Sequence, residues 1–185
     1  MNIGKLKKYL AHKFKTGIPS QLTYHTWDHV LGVLDVCNSY ARRYGIKGRD
    51  AYLLRTAALI HDLGVLWTYT DHEEQGVEFT KRELPNWGYT ADDIKRIDGM
   101  ILATQIPQEP QNLLEQIICH ADLDYLGTEH FYTIGETLFE EFKSMGQIKN
   151  REDWNKLQIN FLSGHRYHTP YAKKYREPIK QKHLQ

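Results

Sequence analysis

Four side chains in this sequence could together hold a divalent metal ion: His29, the adjacent pair His61 and Asp62, and Asp122. Each lies on the apolar face of a helical pattern or at a helix end, where a buried polar group costs free energy unless it is paired or coordinates a metal. Nitrogen and oxygen ligands without a thiolate suit Mn²⁺, Fe²⁺, Mg²⁺, Zn²⁺ or Co²⁺, and the affinity order of these ions does not decide among them. Taken singly, each residue also fits an ordinary structural role, as a satisfied core histidine or a solvated helix end.

Two helical patterns must position the histidines. The run from Asp50 to Ile60 is apolar around most of a helix, which is typical of a central, buried helix, and it ends at the His-Asp pair. His29 lies on a second helix, predicted over Trp27–Tyr44, and shares a face with the apolar residue Val33. Both imidazole rings are therefore expected to point inward.

A third helix, predicted over residues 111–126, carries the second carboxylate. Asp122 lies one turn after Ile118 on the apolar face of this helix, and a carboxylate in that position needs a cation. Asp124 lies off that face, and we interpret it as a solvated or capping group near Gly127.

The remaining chain also follows helical patterns, with no internal repeat, low-complexity tract, linker or long strand-like alternation. We predict an all-α fold and one domain over residues 1–185, with a metal-binding core at about 20–165 and basic terminal helices at 1–16 and 169–183. Asp50 is predicted to cap the central helix. The helices not yet named are predicted over residues 3–15, 71–84, 90–102, 129–145 and 150–164, and from Thr169 onward.

Charge and cysteine content exclude several classes of protein. The net charge of +1 combines basic ends with a middle, residues 17–164, of net charge −9, whereas nucleic-acid binding calls for a basic stripe on the body of the fold. Cys37 and Cys119 form no CxxC motif, so neither a disulfide framework nor a thiolate zinc site is indicated. With no signal peptide or membrane-length apolar run, we expect a soluble, cytoplasmic protein that binds no nucleic acid or membrane.

The order and helical context of these residues resemble the HD superfamily of metal-dependent phosphohydrolases. The resemblance rests on His29, on the pair within Ala-Ala-Leu-Ile-His-Asp-Leu-Gly, and on Asp122 within Ala-Asp-Leu, and it covers roughly residues 20–165. It implies a helical bundle of the HD-domain type that holds a divalent metal through His29, His61, Asp62 and Asp122. It also implies hydrolysis of a phosphate ester or anhydride, often in a nucleotide.

The segment from Tyr24 to Val30 is similar to the Tyr-His-Asn-x-x-His-Ala signature of cyclic-nucleotide phosphodiesterases. By this comparison His25 donates a proton to the leaving oxygen, while His29 is the metal ligand. Thr26 stands where those enzymes have Asn, and no histidine follows the His-Asp pair where they have one. The resemblance therefore extends to the chemistry and not to the substrate.

The segment that starts at Asp71 offers two further candidates, His72 and Glu73. Acidic residues suit a helix N-terminus electrostatically, which is the simpler interpretation. In HD proteins a His-Glu-Glu segment at this place resembles part of the active-site wall, so both residues are expected to orient water. Asp62 could bridge to a second metal, but no further ligands for it are obvious in the sequence.

The leading hypothesis is a metal-dependent phosphohydrolase that uses metal-activated water on a small phosphorylated substrate, with a nucleotide as the preferred class. The choice among phosphomonoesterase, phosphodiesterase and pyrophosphohydrolase stays open, as does assembly into a homo-oligomer. The alternative is a non-catalytic HD-type regulatory module that binds a metal and a nucleotide without turnover.

Overall fold

A computed structural model describes residues 2–185, and this part of the chain contains α-helices and short 3-10 turns but no strand. The prediction of an all-α fold is confirmed. Within the described residues, no helix has both the length and the apolar character that crossing a membrane requires. The α-helices are α1 (Ile3–Gly17), α2 (Trp27–Arg43), α3 (Gly48–Ile60), α4 (His72–Glu83), α5 (Ala91–Leu102), α6 (Leu113–Asp122), α7 (Phe131–Ser144), α8 (Arg151–Gly164), α9 (Pro170–Tyr175) and α10 (Glu177–Lys182). The 3-10 turns are Leu63–Leu66, Leu84–Trp87 and Asp124–Gly127.

The chain divides into two compact units. The first comprises the residues up to Pro19 together with His25–Asp122, and the second comprises Ser20–Tyr24 with Leu123–Gln185. Whether the whole chain acts as the single domain expected from its length stays a prediction.

Helix α3 is the centre of the first unit, as its apolar sequence predicts. From Thr56 to Ile60 every residue is buried, and α3 packs against α1, α2, α5 and α6. Helix α4 packs against α5 and against the 3-10 turn Leu63–Leu66. Burying a leucine or isoleucine side chain contributes roughly 1.5–3 kcal/mol, so these apolar faces hold the helix ends in place.

The start of α3 differs from the prediction. Asp50 does not cap this helix, which begins at Gly48 with Lys47 in the capping position. Gly48 has a φ of +57°, a left-handed conformation that glycine adopts without strain, and the helix begins there, three residues earlier than a cap at Asp50 would allow. Asp50 lies in the first turn, where its carboxylate accepts a hydrogen bond of 2.7 Å from Arg96.

Helix α6 is shorter than predicted at both ends. The Asn112 side chain accepts hydrogen bonds from the backbone N–H groups of Leu114 and Glu115, which fixes the start of the helix. The helix ends at Asp122, and the chain continues as the separate 3-10 turn Asp124–Gly127.

In the second unit, helices α7 to α10 enclose two apolar clusters. One contains Leu123, Leu126, Phe131 and Leu162, and the other contains Phe139, Ile148 and Trp154. Asp124 was expected to be solvated or to cap a turn, and this was wrong. Its buried carboxylate accepts two hydrogen bonds from the Arg176 guanidinium, at 2.8 and 3.0 Å. A partner 52 residues away along the chain leaves no local signal in the sequence.

Candidate metal centre

Helix ends bring the four predicted metal ligands together in the first unit. His29 lies in the first turn of α2, and Thr26 caps this helix by accepting a hydrogen bond from the His29 backbone N–H. His61 and Asp62 follow the last residue of α3, and Asp122 is the last residue of α6. Atoms on these four side chains that could bind a metal all lie within 4.8 Å of one another.

The contacts within this group are close. His29 Nε2 lies 3.1 Å from Asp122 Oδ1 and 3.2 Å from Asp62 Oδ2. His61 Nε2 lies 3.2 Å from the same Asp62 oxygen and 3.6 Å from Asp122 Oδ1. Two imidazole nitrogens and two carboxylate oxygens thus face one another around a common centre.

The orientation of His61 is set by the helix that carries it. Its Nδ1 lies 3.0 Å from the carbonyl oxygen of Ala58, which can only accept a hydrogen bond, so Nδ1 carries the proton. Nε2 is thereby directed at the carboxylates, and a second hydrogen bond of this kind is usual for histidines that bind metals.

Burial and charge oppose each other at these residues. Burial alone lowers the pKa of His29, but the hydrogen bond to Asp122 and the negative charge of Asp62 outweigh it and raise this pKa to about 9. Burial raises the pKa of Asp122, but His29 and His61 outweigh it and lower that pKa to about 2. By the same balance, the pKa of His61 is raised and that of Asp62 is lowered. The raised histidine pKa values and the lowered aspartate pKa values correspond to ion pairs between the imidazoles and the carboxylates.

Two buried atoms show that the group also fits a metal. His61 Nε2 and Asp62 Oδ2 are fully enclosed, yet neither has a hydrogen-bond partner of acceptable geometry among residues 2–185. Their separation of 3.2 Å is short enough for a hydrogen bond, so the angle between the groups is what fails. Two donor atoms that lie close together but are not aligned for a hydrogen bond are suited to binding the same cation. The nitrogen and oxygen donors of this group are compatible with a divalent metal.

Of the other two residues expected at the site, His72 lies beside the second oxygen of Asp62, and Glu73 lies beside His72. His72 Nε2 is 3.4 Å from Asp62 Oδ1 and 3.5 Å from Glu73 Oε1. Its Nδ1 lies 3.1 Å from the Tyr69 carbonyl oxygen, which orients the ring much as Ala58 orients His61. Burial lowers the pKa of His72, but the hydrogen bond and charge of Asp62 outweigh it and raise this pKa to about 9.

His25, the expected proton donor, is half-buried next to these residues. Its ring centroid is 5.4 Å from that of His72, 6.3 Å from that of His29 and 5.7 Å from the ring of Tyr69. His25, Asp62 and His72 also have ligand atoms within 4.8 Å of one another and could hold a cation. No sequence pattern indicated this second group, because His25 precedes the Thr26 cap and the start of α2 at Trp27, so the helix does not fix the direction of its ring.

Two local features position His72. The connection from the 3-10 turn Leu63–Leu66 to α4 ends at Asp71, whose φ of +54° is left-handed and uncommon for a residue with a side chain. Gly64 lies so close to the start of α4 that an added Cβ would be 1.8 Å from the His72 carbonyl oxygen. Only glycine permits this approach. Neither feature has a clear signal in the sequence.

Three other basic side chains, Lys81, Arg82 and His165, have partners outside the candidate metal centre. Lys81 and Arg82 are exposed on α4, where they pair with Glu78 and Glu83. In the second unit, His165 is buried against Lys180, whose amino group donates a hydrogen bond of 2.6 Å to the His165 carbonyl oxygen.

Comparison with protein families finds the HD domain at residues 26–124, which is 99 of the 185 residues. The match includes all four residues of the candidate metal centre as well as His72 and Glu73, and His25 lies one position before it. No curated protein and no solved structure matches the chain. The match confirms the resemblance to the HD superfamily of metal-dependent phosphohydrolases. Because more than half of its length matches this family, the chain belongs to the HD domain family.

Proposed function

We propose that this protein is a metal-dependent phosphohydrolase that cleaves a phosphate ester or anhydride of a small phosphorylated molecule, with nucleotides as the preferred substrate class. The observation that carries the proposal is the convergence of four donor side chains around His61 Nε2 and Asp62 Oδ2, two enclosed atoms without hydrogen-bond partners in residues 2–185. Membership of a family whose members are generally hydrolases supports the same conclusion.

In this proposal His29, His61, Asp62 and Asp122 hold the metal. A bound divalent ion lowers the pKa of a coordinated water and withdraws charge from a phosphoryl oxygen. Ala58 keeps Nδ1 of His61 protonated, which leaves Nε2 available as a ligand. Mn²⁺, Fe²⁺, Mg²⁺, Zn²⁺ and Co²⁺ all suit this donor set.

In the proposed reaction His25 transfers a proton, and His72 and Glu73 orient water. His25 is half-buried at the edge of the group and donates a proton to the departing oxygen, a role in which histidine is the most common side chain. His72 lies beside Asp62, Glu73 lies beside His72, and the two orient the attacking water through Nε2 and the carboxylate oxygens. A nucleotide substrate is proposed from the family resemblance and the cytoplasmic setting from the composition.

The test is a screen of the purified protein, loaded with Mn²⁺, against a panel of nucleotides and simple phosphate esters. We expect release of phosphate or pyrophosphate, and we expect His61→Ala and Asp62→Ala each to lower both metal content and turnover at least ~100-fold. His12→Ala, which changes an exposed histidine on α1, is the matched control and should leave both unchanged.

Two outcomes would contradict the proposal. Full turnover by either substituted protein would exclude the role of the pair. Binding of metal and nucleotide without any hydrolysis across the panel would support the regulatory alternative.

A further inference from the structure

Residues 20–24, which precede His25, belong to the second unit and are hydrogen-bonded to helix α7 of that unit. Three hydrogen bonds, each between a side chain and the backbone, connect residues 21–24 to this helix. The bonds run from Thr23 Oγ1 to the Thr137 carbonyl oxygen at 2.7 Å, from Ser144 Oγ to the Gln21 carbonyl oxygen at 3.0 Å, and from the Tyr24 backbone N–H to Glu141 Oε2 at 2.8 Å.

The bond from Tyr24 differs from the other two because its acceptor is a buried carboxylate. Glu141 is completely excluded from solvent, and burying a carboxylate costs several kcal/mol, whereas Thr23 and Ser144 are exposed. The Tyr24 ring is buried as well and packs against Tyr125, with ring centroids 5.9 Å apart. The backbone of Tyr24 is thus the most firmly held point of the segment.

The next residue in the chain is His25. On its other side, Thr26 is fixed as the cap of α2 through its contact with the His29 backbone N–H. Anchors on both neighbouring residues restrict the backbone torsions of His25, and therefore the position of its ring. The chain requires only one of these anchors, the helix cap, in order to form α2.

We propose that Glu141 is a positioning residue for His25, acting through the backbone of Tyr24. The inference rests on the proton-donor role proposed above for His25. A donor that is displaced by about 1 Å can lose a large part of its effect, so a remote anchor has a catalytic consequence without touching the substrate. Glu141 then acts on protonation of the leaving oxygen and leaves the four metal-binding side chains unaffected.

The kinetic test uses two substrates that differ in their need for a proton donor. 4-Nitrophenyl phosphate has a good leaving group, while phenyl phosphate has a poor one that depends on protonation. With Mn²⁺-loaded protein, we expect Glu141→Ala to lower kcat for phenyl phosphate about tenfold more than kcat for 4-nitrophenyl phosphate, with little change in KM. Glu141→Gln keeps an acceptor oxygen and should recover part of this loss. Equal losses on both substrates, or a loss confined to KM, would overturn the proposal.

The matched control is Glu140→Gln, which changes the neighbouring, exposed glutamate of the same helix. It should leave both rates unchanged. If Glu141→Ala does not fold, as judged by its thermal unfolding, Glu141→Gln carries the test with a smaller difference of about threefold between the substrates.

A second readout requires no turnover and separates this proposal from the proposed function. In the full-length protein with Mg²⁺, Glu141→Ala should speed hydrogen exchange of the Tyr24 amide at least ~10-fold and broaden or shift the ring signals of ¹⁵N-labelled His25. Amides in the middle of α3 should keep their protection. Unchanged His25 signals would overturn the proposal even if the Tyr24 amide exchanges faster. A lack of hydrolysis of every substrate, with both NMR changes present, would instead count against the proposed function alone.

Discussion

Substituting Gly64 tests how closely the structure around His72 is packed. A Cβ at this position would lie 1.8 Å from the His72 carbonyl oxygen, 2.7 Å from its carbonyl carbon and 3.0 Å from Gln75 Cβ. Real contacts of a Cβ almost never fall below 3.0 Å, so Gly64→Ala must push the start of α4 away by at least about 1.2 Å. The obstacle is backbone, which cannot rotate aside as a flexible side chain would.

The expected cost follows from this displacement. Overpacking a buried site typically costs 1–3 kcal/mol, and a clash with backbone lies at the upper end, at roughly 3 kcal/mol. For a chain of this length, 1 kcal/mol corresponds to about 2–4 °C in Tm, so the substitution should lower Tm by about 6–12 °C. The same movement takes His72 Nε2 out of its 3.4 Å contact with Asp62 Oδ1.

The assay is thermal unfolding, with Gly32→Ala as the control. Gly32 is exposed within α2, and a Cβ there would have no neighbour within 4 Å. That substitution should stabilise the protein by roughly 0.5–1 kcal/mol, because alanine favours the helix over glycine. If Gly64→Ala unfolds within about 1 °C of the unsubstituted protein, the close approach to His72 does not exist and the reasoning is refuted.

Three further predictions concern ionisable groups. Metal binding at pH 7 should release at least about one proton, because His29 has a pKa of about 9 and must lose its proton to become a ligand. Calorimetry in buffers of different ionisation enthalpy measures this release. The apparent affinity for the metal should also rise with pH up to about 9. Burial lowers the pKa of His165 to about 4, so the unfolded chain takes up this proton near pH 6.5 and the folded chain only near pH 4. The free energy of unfolding should therefore fall by roughly 3 kcal/mol as the pH drops through that window, and His165→Gln should remove this part of the fall in denaturant titrations at several pH values; an unchanged slope would contradict it. Asp93→Asn should cost about 1–2 kcal/mol in the same titrations at pH 7, because Asp93 completes the capping box of α5 with Thr90 and pairs with Arg49; a loss below about 0.3 kcal/mol would contradict that role.

The candidate metal centre could be anticipated because its polar residues occur where the surrounding sequence is apolar. His61 and Asp62 end a helix that is otherwise built for burial, and Asp122 stands on an apolar face. Such residues carry a local energetic penalty that is visible in the sequence. Helix α3 was equally predictable, since its apolar residues surround the whole helix.

Features that depend on distant partners could not be anticipated. Asp124 has the same residue type as Asp122 and lies two positions after it, yet its partner is Arg176, in the turn between α9 and α10. The close approach of Gly64 to His72 depends on the path of the loop through Asp71. No pattern in the sequence predicts the left-handed backbone conformation of Asp71. The starts of α6 and α3 differ from the predicted positions for similar reasons. A hydrogen bond to the Asn112 side chain fixes the start of α6, and the left-handed backbone of Gly48 fixes the start of α3.

The carboxylate of Asp62 faces two groups of histidines, with Oδ2 toward His29 and His61 and Oδ1 toward His72. One negative charge is therefore shared by two neighbouring sites. A proton or cation bound at one oxygen of Asp62 reduces the negative charge at the other oxygen and so weakens cation binding there. Thermodynamic linkage requires this effect on affinity to be equal in both directions. The affinities on the two sides of Asp62 are not independent quantities, and occupancy of either side must be specified whenever the other is measured.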